Sequence, residues 1–197
     1  TYLLNDARTT AVIYHECFAP TLASVLADLE TQPKLLMQVA DGSGHPVDRG
    51  LVRGAVDYEH ALAGAGSRIP AGLAEGWSGD DLYLCYTGGT TGMPKGAMWR
   101  QEDFLIAALG VRHRDGTEYS SMEELVADAR GTVRALPAPP LMHGAAHWNA
   151  LSCLVAGGTV VIQDDPSHFD PADVLDAAER HGATSLLVVG DPMARPL

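Results

Sequence analysis

Residues 82–96 read Leu-Tyr-Leu-Cys-Tyr-Thr-Gly-Gly-Thr-Thr-Gly-Met-Pro-Lys-Gly. Leu82 to Tyr86 has the β-prone composition and the length of a strand. The run from Thr87 to Gly96 then combines glycine, threonine and one lysine. Glycines let backbone N–H groups converge on an anion, the hydroxyls of Thr87, Thr90 and Thr91 add donors, and Lys95 supplies a point charge. Together they make a cradle for a polyphosphate. It is not a Walker A loop, which needs Gly before the Lys and Ser or Thr after it, whereas Pro94 precedes Lys95 and Gly96 follows. Pro94 lacks an N–H, so the loop is expected to join two strands, the second around Ala97 to Trp99, instead of opening a helix. The plain alternative is a flexible glycine-rich hairpin.

Upstream, Ala11 to Tyr14 reads as a strand, Thr21 to Leu29 as a helix with Leu22, Val25, Leu26 and Leu29 on one face, and Leu35 to Val39 as a strand. Such a unit is usually parallel with a right-handed crossover. Residues 41–56 and 64–80 are rich in Gly and Pro and read as connectors, with a short helix around Tyr58 to Ala63. Downstream, Gln101 to Leu109 reads as a helix. Ser121-x-x-Glu124 is a capping box for a helix running to Arg130, and Thr132 to Leu136 fits a strand. Thr159 to Ile162 is a strand, Asp170 an N-cap with Pro171 at the first helical position, Gly182 a C′ residue after His181, and Leu186 to Val189 a strand. The fold class is therefore α/β, with mainly parallel sheets flanked by helices. Two subdomains are expected, 1–136 with the glycine-rich loop and 137–197 after it.

Composition narrows the functions. The chain has 197 residues, 46% hydrophobic and 19% charged, enough apolar material for a core. A net charge of −12 argues against a sequence-independent grip on nucleic acid or anionic lipid, while leaving room for a local basic site. Only Lys34 and Lys95 are lysine. Cys17, Cys85 and Cys153 form no C-x-x-C pair and read as reduced buried thiols of a cytoplasmic protein. No charged region leads into an apolar core after Thr1, so no secretory signal is read. Residues 135–163 carry no charge, but prolines and histidines interrupt them and the apolar remainder is short of the ~20 residues a membrane span needs.

The stretch Tyr86 to Gly96 resembles the phosphate-loop signature of the adenylate-forming superfamily, which comprises acyl-CoA synthetases, adenylation domains and beetle luciferases. Gly89 stands where that signature usually has Ser. Its extension Ala97-Met98-Trp99-Arg100-Gln101 resembles an actinobacterial acyl-CoA synthetase subgroup that includes steroid-side-chain enzymes. Pro139-Pro140-Leu141-Met142-His143 resembles the family's next core motif, and Val189 to Leu197 a further stretch of the subgroup. The resemblance implies that Thr87, Gly88, Gly89, Thr90, Thr91, Gly92 and Lys95 bind the phosphates of ATP and that His143 lies on the acyl side. It also implies ATP, Mg²⁺ and coenzyme A as cofactor and co-substrates, and a carboxylic acid as substrate. Taken alone, His143 after a proline turn is more often a capping or core histidine, and His147 and Trp148 are expected to pack a following helix.

The family's adenine, ribose and lysine motifs match nothing here. The chain is therefore expected to be an internal piece of a large N-terminal domain, inactive alone and self-associating through Ala135 to Gln163 and Leu186 to Val189. The parent activity implied is acid–thiol ligation of a fatty or steroid-type acid to CoA. The alternatives are a domain that loads a carrier protein and a non-enzymatic nucleotide-binding module. Gly76-Trp77-Ser78-Gly79-Asp80 lacks the last Gly of a nucleophile elbow, and no zinc motif occurs. Asp80-Asp81 and Asp164-Asp165 read as solvated turns, so no metal ligands are assigned.

Overall fold

The computed structural model describes residues 1–42, 50–88, 92–165 and 168–197. They fall into two compact units, Thr1–Trp77 with Tyr86–Gly96, and Ser78–Cys85 with Ala97–Leu197.

The first unit contains α1 (Tyr2–Asp6), β1 (Ala11–His15), α2 (Ala19–Leu26), β2 (Leu35–Val39), β3 (Val56–Asp57) and α3 (Tyr58–Gly64). Its sheet runs β1-β2-β3 and both pairings are parallel. That is the expected strand–helix–strand arrangement, with β3 added at the end of a stretch read as connector. Tyr14 pairs across the sheet with Gln38, and its hydroxyl donates to Gln38 Oε1 at 3.0 Å. This satisfies two buried polar groups at once, and burial pushes the Tyr14 hydroxyl pKa up. Around them Ala19 and Leu22 of α2, Leu36 of β2 and Val52 form the core. Each large aliphatic side chain buried this way contributes about 1.5–3 kcal/mol.

The glycine-rich run joins β4 (Leu82–Thr87) to β5 (Lys95–Arg100), a two-stranded sheet. A link this short permits only antiparallel pairing. Both strands are longer than the sequence suggested, because Thr87 and Lys95 are taken into them.

The second unit continues with α4 (Gln101–Asp103), a π turn (Phe104–Ala108), α5 (Met122–Asp128), β6 (Arg134–Pro137), α6 (Gly144–Val155), β7 (Thr159–Val160), α7 (Pro171–Arg180), β8 (Ser185–Leu187) and α8 (Gly190–Ala194). Its parallel sheet has the order β7-β6-β8. The central strand carries Ala135 and Leu136, both fully buried, and Leu136 packs in a cluster with Val161 and with Val174 and Ala177 of α7. The Asp170 carboxylate accepts the Ala172 N–H as expected of an N-cap, and Gly182 has φ +59° just after the helix.

Two elements depart from the sequence reading in a way local bonding explains. The helix expected over 101–109 becomes one α turn followed by a π turn, because the Leu109 N–H reaches back five residues to Phe104 O. In the capping box, the Ser121 hydroxyl accepts from Glu124 N–H as predicted. The Glu124 carboxylate, however, takes the N–H and hydroxyl of Ser120 instead of Ser121 N–H. Among the described residues no helix is long and apolar enough to cross a membrane.

Candidate functional site

The two shoulders of the glycine-rich loop are tied to α1. Before the loop, the Tyr86 hydroxyl donates to Asp6 Oδ2 at 2.6 Å, and after it the Tyr2 hydroxyl donates to Pro94 O at 3.1 Å. Tyr2 and Asp6 are four apart on one helix and so share a face. The Asp6 carboxylate keeps the proton on Tyr86, whose pKa is pushed up to about 12. Between these anchors Thr87 and Gly88 are exposed, Gly92 is exposed at φ +87°, and Lys95 is exposed. Gly92 must be glycine or pay for a left-handed backbone. Lys95 makes no ion pair among the described residues, so its charge is available to an anion. Gly89, Thr90 and Thr91 lie outside the described residues. Sequence reasoning missed Tyr2 and Asp6, since a five-residue helix without a side-chain cap leaves no periodic signal.

His143 is exposed and is the N-cap of α6, its Nδ1 accepting the Ala145 N–H at 3.2 Å. The ring thus does the capping work that its position after a proline turn suggested. His147 and Trp148 lie one turn further along α6. The Tyr83 hydroxyl is hydrogen-bonded to His147 Nε2, and the Trp148 indole N–H donates to Tyr83 Oη at 2.9 Å. Phe104 of the π turn stacks on Tyr83 at 4.2 Å between ring centroids, and Trp99 of β5 meets Trp148 edge-on at 5.7 Å. Burial raises the Tyr83 pKa.

The donors around the loop suit an anion and not a bare cation. The described carboxylate bonded to the loop's shoulders, Asp6, is engaged by Tyr86. Among the described residues, the His/Cys/Asp/Glu group close enough to share a metal is His15, Glu16 and Asp41. There His15 Nδ1 accepts the Cys17 N–H, so the proton of the neutral ring sits on Nε2, 3.1 Å from Asp41 Oδ1, and that nitrogen has no lone pair for a metal. The acidic pairs behave as turn residues: Asp80 meets Arg100, Asp81 accepts from Ser78 N–H and Asp164 meets Arg180. The cysteines are free, Cys153 buried and Cys17 and Cys85 half-buried.

The parallel α/β framework thus carries a strand–loop–strand run at β4 and β5. Residues 1–194 match the model of the AMP-binding enzyme family, and the chain belongs to that family. It is 44% identical over 200 residues to "Medium-chain acyl-CoA ligase Mig" of Mycobacterium avium, a match covering 100% of this chain and 35% of that protein. It is 33% identical over 204 residues to a "Medium/long-chain-fatty-acid--CoA/3-oxocholest-4-en-26-oate--CoA ligase" of Mycolicibacterium smegmatis, covering 100% and 34%. Among solved structures, ATP-bound MatB from Rhodopseudomonas palustris superimposes with a TM-score of 0.59 at 26% identity, over 94% of this chain and 30% of that one. The chain thus spans about a third of the length of the curated relatives it matches.

Proposed function

We propose that this chain carries the nucleotide-phosphate site of an ATP-dependent acid–thiol ligase, an acyl-CoA synthetase for fatty or steroid-type carboxylic acids. One observation carries the reading: the run Tyr86–Gly96 leaves β4 and enters β5 with Thr87 and Lys95 exposed at its two ends and both shoulders anchored. The names of the relatives from Mycobacterium avium and Mycolicibacterium smegmatis, and the ATP bound to MatB, support it.

In this reading the substrate carboxylate attacks the α-phosphorus of ATP in line and pyrophosphate leaves; the coenzyme A thiol then loses its proton to solvent and attacks the acyl carbon of the adenylate, forming the thioester as the acyl–oxygen bond breaks and AMP leaves. Thr87, Thr90, Thr91, Lys95 and the backbone N–H groups of Gly88, Gly89 and Gly92 hold the departing phosphates. Their work is positioning and electrostatic stabilisation, and no covalent nucleophile is needed. Mg²⁺, when bound, neutralises phosphate charge. His143 serves the acyl side with the ring edge that does not cap α6. The phosphate half of the work belongs to 1–136 and the acyl half begins in 137–197, in a cytoplasmic protein.

The test uses protein made from the complete reading frame, with ATP, a panel of medium-chain, long-chain and steroid-side-chain acids, and either coenzyme A or a phosphopantetheinyl carrier protein. AMP release that requires both acid and coenzyme A is expected. AMP release only with the carrier protein would reassign the acceptor, and none with any acid would overturn the ligase reading.

A further inference from the structure

Tyr83, Cys85 and Thr87 alternate onto one face of β4. In the second unit that face lies against α6. Tyr83 bonds His147 and Trp148, and a Cβ placed on Gly144 would stand 3.6 Å from Cys85 Sγ. Strand and helix therefore run antiparallel, with β4 advancing from the second turn of α6 toward its N-terminus. An indole N–H only donates, so Trp148 uses one lone pair of Tyr83 Oη, and the same hydroxyl makes its second hydrogen bond with His147 Nε2. A phenylalanine in place of Tyr83 would keep the stack on Phe104 and lose both bonds. The Cys85 thiol also lies near this hydroxyl, and the Phe104 ring stacks on that of Tyr83.

We propose that Tyr83, His147 and Trp148 are positioning residues that lock β4 in one register on α6, so that the phosphate loop departs from a fixed base. Three features support it beyond packing. Each of the three polar groups is used, the bonds converge on a single atom, and that atom lies on the same strand face as Thr87, where the loop begins. On the helix side His143, the N-cap of α6, closes the first turn by accepting the His147 N–H at its carbonyl at 3.2 Å. One network thus joins the Tyr83 position of β4 to the first turns of α6. In its catalytic consequence the inference rests on the ligase reading above, while its structural part stands independently of it.

The experiment uses protein from the complete reading frame and the variants Tyr83→Phe, His147→Ala and His147→Gln. Two quantities are measured: amide hydrogen exchange, and acid-dependent pyrophosphate–ATP exchange. Tyr83→Phe and His147→Ala are expected to speed amide exchange at Tyr86–Gly88 and at Lys95–Gly96 at least tenfold, leaving Ala135 and Leu136 unchanged. They should lower kcat at least tenfold with KM for ATP changed less than threefold. His147→Gln, whose amide oxygen can accept the Tyr83 proton, should recover most of both. If His147→Ala fails to fold, Tyr83→Phe, which leaves the ring stack in place, decides. Unchanged amide exchange at the loop's shoulders in Tyr83→Phe would overturn the proposal, as would His147→Gln behaving like His147→Ala. Absence of pyrophosphate exchange in the unmutated protein would count against the ligase reading alone, and amide exchange would still decide the positioning role.

Discussion

Lys95 is one of two lysines in a chain of net charge −12, exposed and without an ion pair among the described residues. Such a group contributes little to folding and much to an anion. Lys95→Ala is expected to leave the melting temperature unchanged and to cost about 1.5–3 kcal/mol of phosphate binding. That is a fall of roughly tenfold to a hundredfold in pyrophosphate exchange, and an unaltered rate would reduce Lys95 to an ordinary surface residue. Tyr86 makes a second prediction, through its bond to Asp6. Its folded pKa is raised from 10.0 to about 12, so the bond's contribution is complete below pH ~10 and disappears as pH rises through that higher value. Phenolate absorbance, measured as the difference between the unmutated protein and Tyr86→Phe, should therefore titrate near the upper value. In Asp6→Asn it should return toward the lower one.

Among the described glycines, Gly158 in the turn between α6 and β7 has the closest neighbours. A Cβ on Gly158 would stand 2.5 Å from Val133 O and 2.6 Å from Cys153 Sγ, whereas one on Gly64 at the end of α3 meets nothing within 4 Å. Gly158→Ala should thus destabilise by about 1–3 kcal/mol through overpacking. Gly64→Ala should be neutral or slightly stabilising, and equal denaturation midpoints for the two would contradict the packing described. The N-terminus of α5 adds a pH dependence. Hydrogen bonds from the Ser120 hydroxyl and N–H hold the Glu124 carboxyl below its ordinary pKa. Because the folded value is depressed, this support is present above pH ~4.3 and lost as pH falls through the lowered value. Glu124→Gln should flatten the acid limb of the stability curve, and an unchanged limb would mean that the carboxylate is idle.

The elements legible in the sequence were those whose signal is local. Asp170-Pro171 ahead of α7 and Gly182 after it each act within a few residues, and Ser121 caps α5 as its spacing foretold. The strands β1 and β2 were legible from apolar runs on either side of a helical stripe. The parts that were not legible depend on distant partners. The short helix α1 matters because its partners Tyr86 and Pro94 lie 80 and 92 residues away, and β3 is two residues paired to β2. The π turn follows from one backbone bond, which no side-chain pattern encodes. In the candidate site, Thr87, Gly88, Gly92 and Lys95 could be picked out by residue type. The Tyr83–His147–Trp148 network could not, because it joins a strand to a helix some 64 residues on.

For the whole molecule, charge and surface act in opposite senses. The stretch 135–163, read as apolar and open to association, is covered in part, with Ala135, Leu136 and Ala146 fully buried. Leu154 and Ile162 nevertheless remain exposed, and β7 and β8 are the outer strands of their sheet. The first unit has an open cavity of about 690 Å³ lined mostly by apolar side chains, with Ile13, Phe18 and Met93 exposed at its walls. Such surfaces seldom stay bare, and salt screens the repulsion of a −12 chain over ~8–10 Å. The 197-residue chain is therefore expected to self-associate at micromolar concentration in moderate salt, as read by sedimentation velocity. A monomer that binds no hydrophobic dye would contradict this.

If the loop from Tyr86 to Gly96 serves acyl-adenylate formation, isotope must pass between pyrophosphate and ATP. Protein from the complete reading frame should exchange label only when a fatty or steroid-side-chain carboxylic acid is present and without any thiol, since the adenylate forms before the thiol is used. Exchange that ignores the acid, or no exchange with any acid while ATP still binds, would contradict the account.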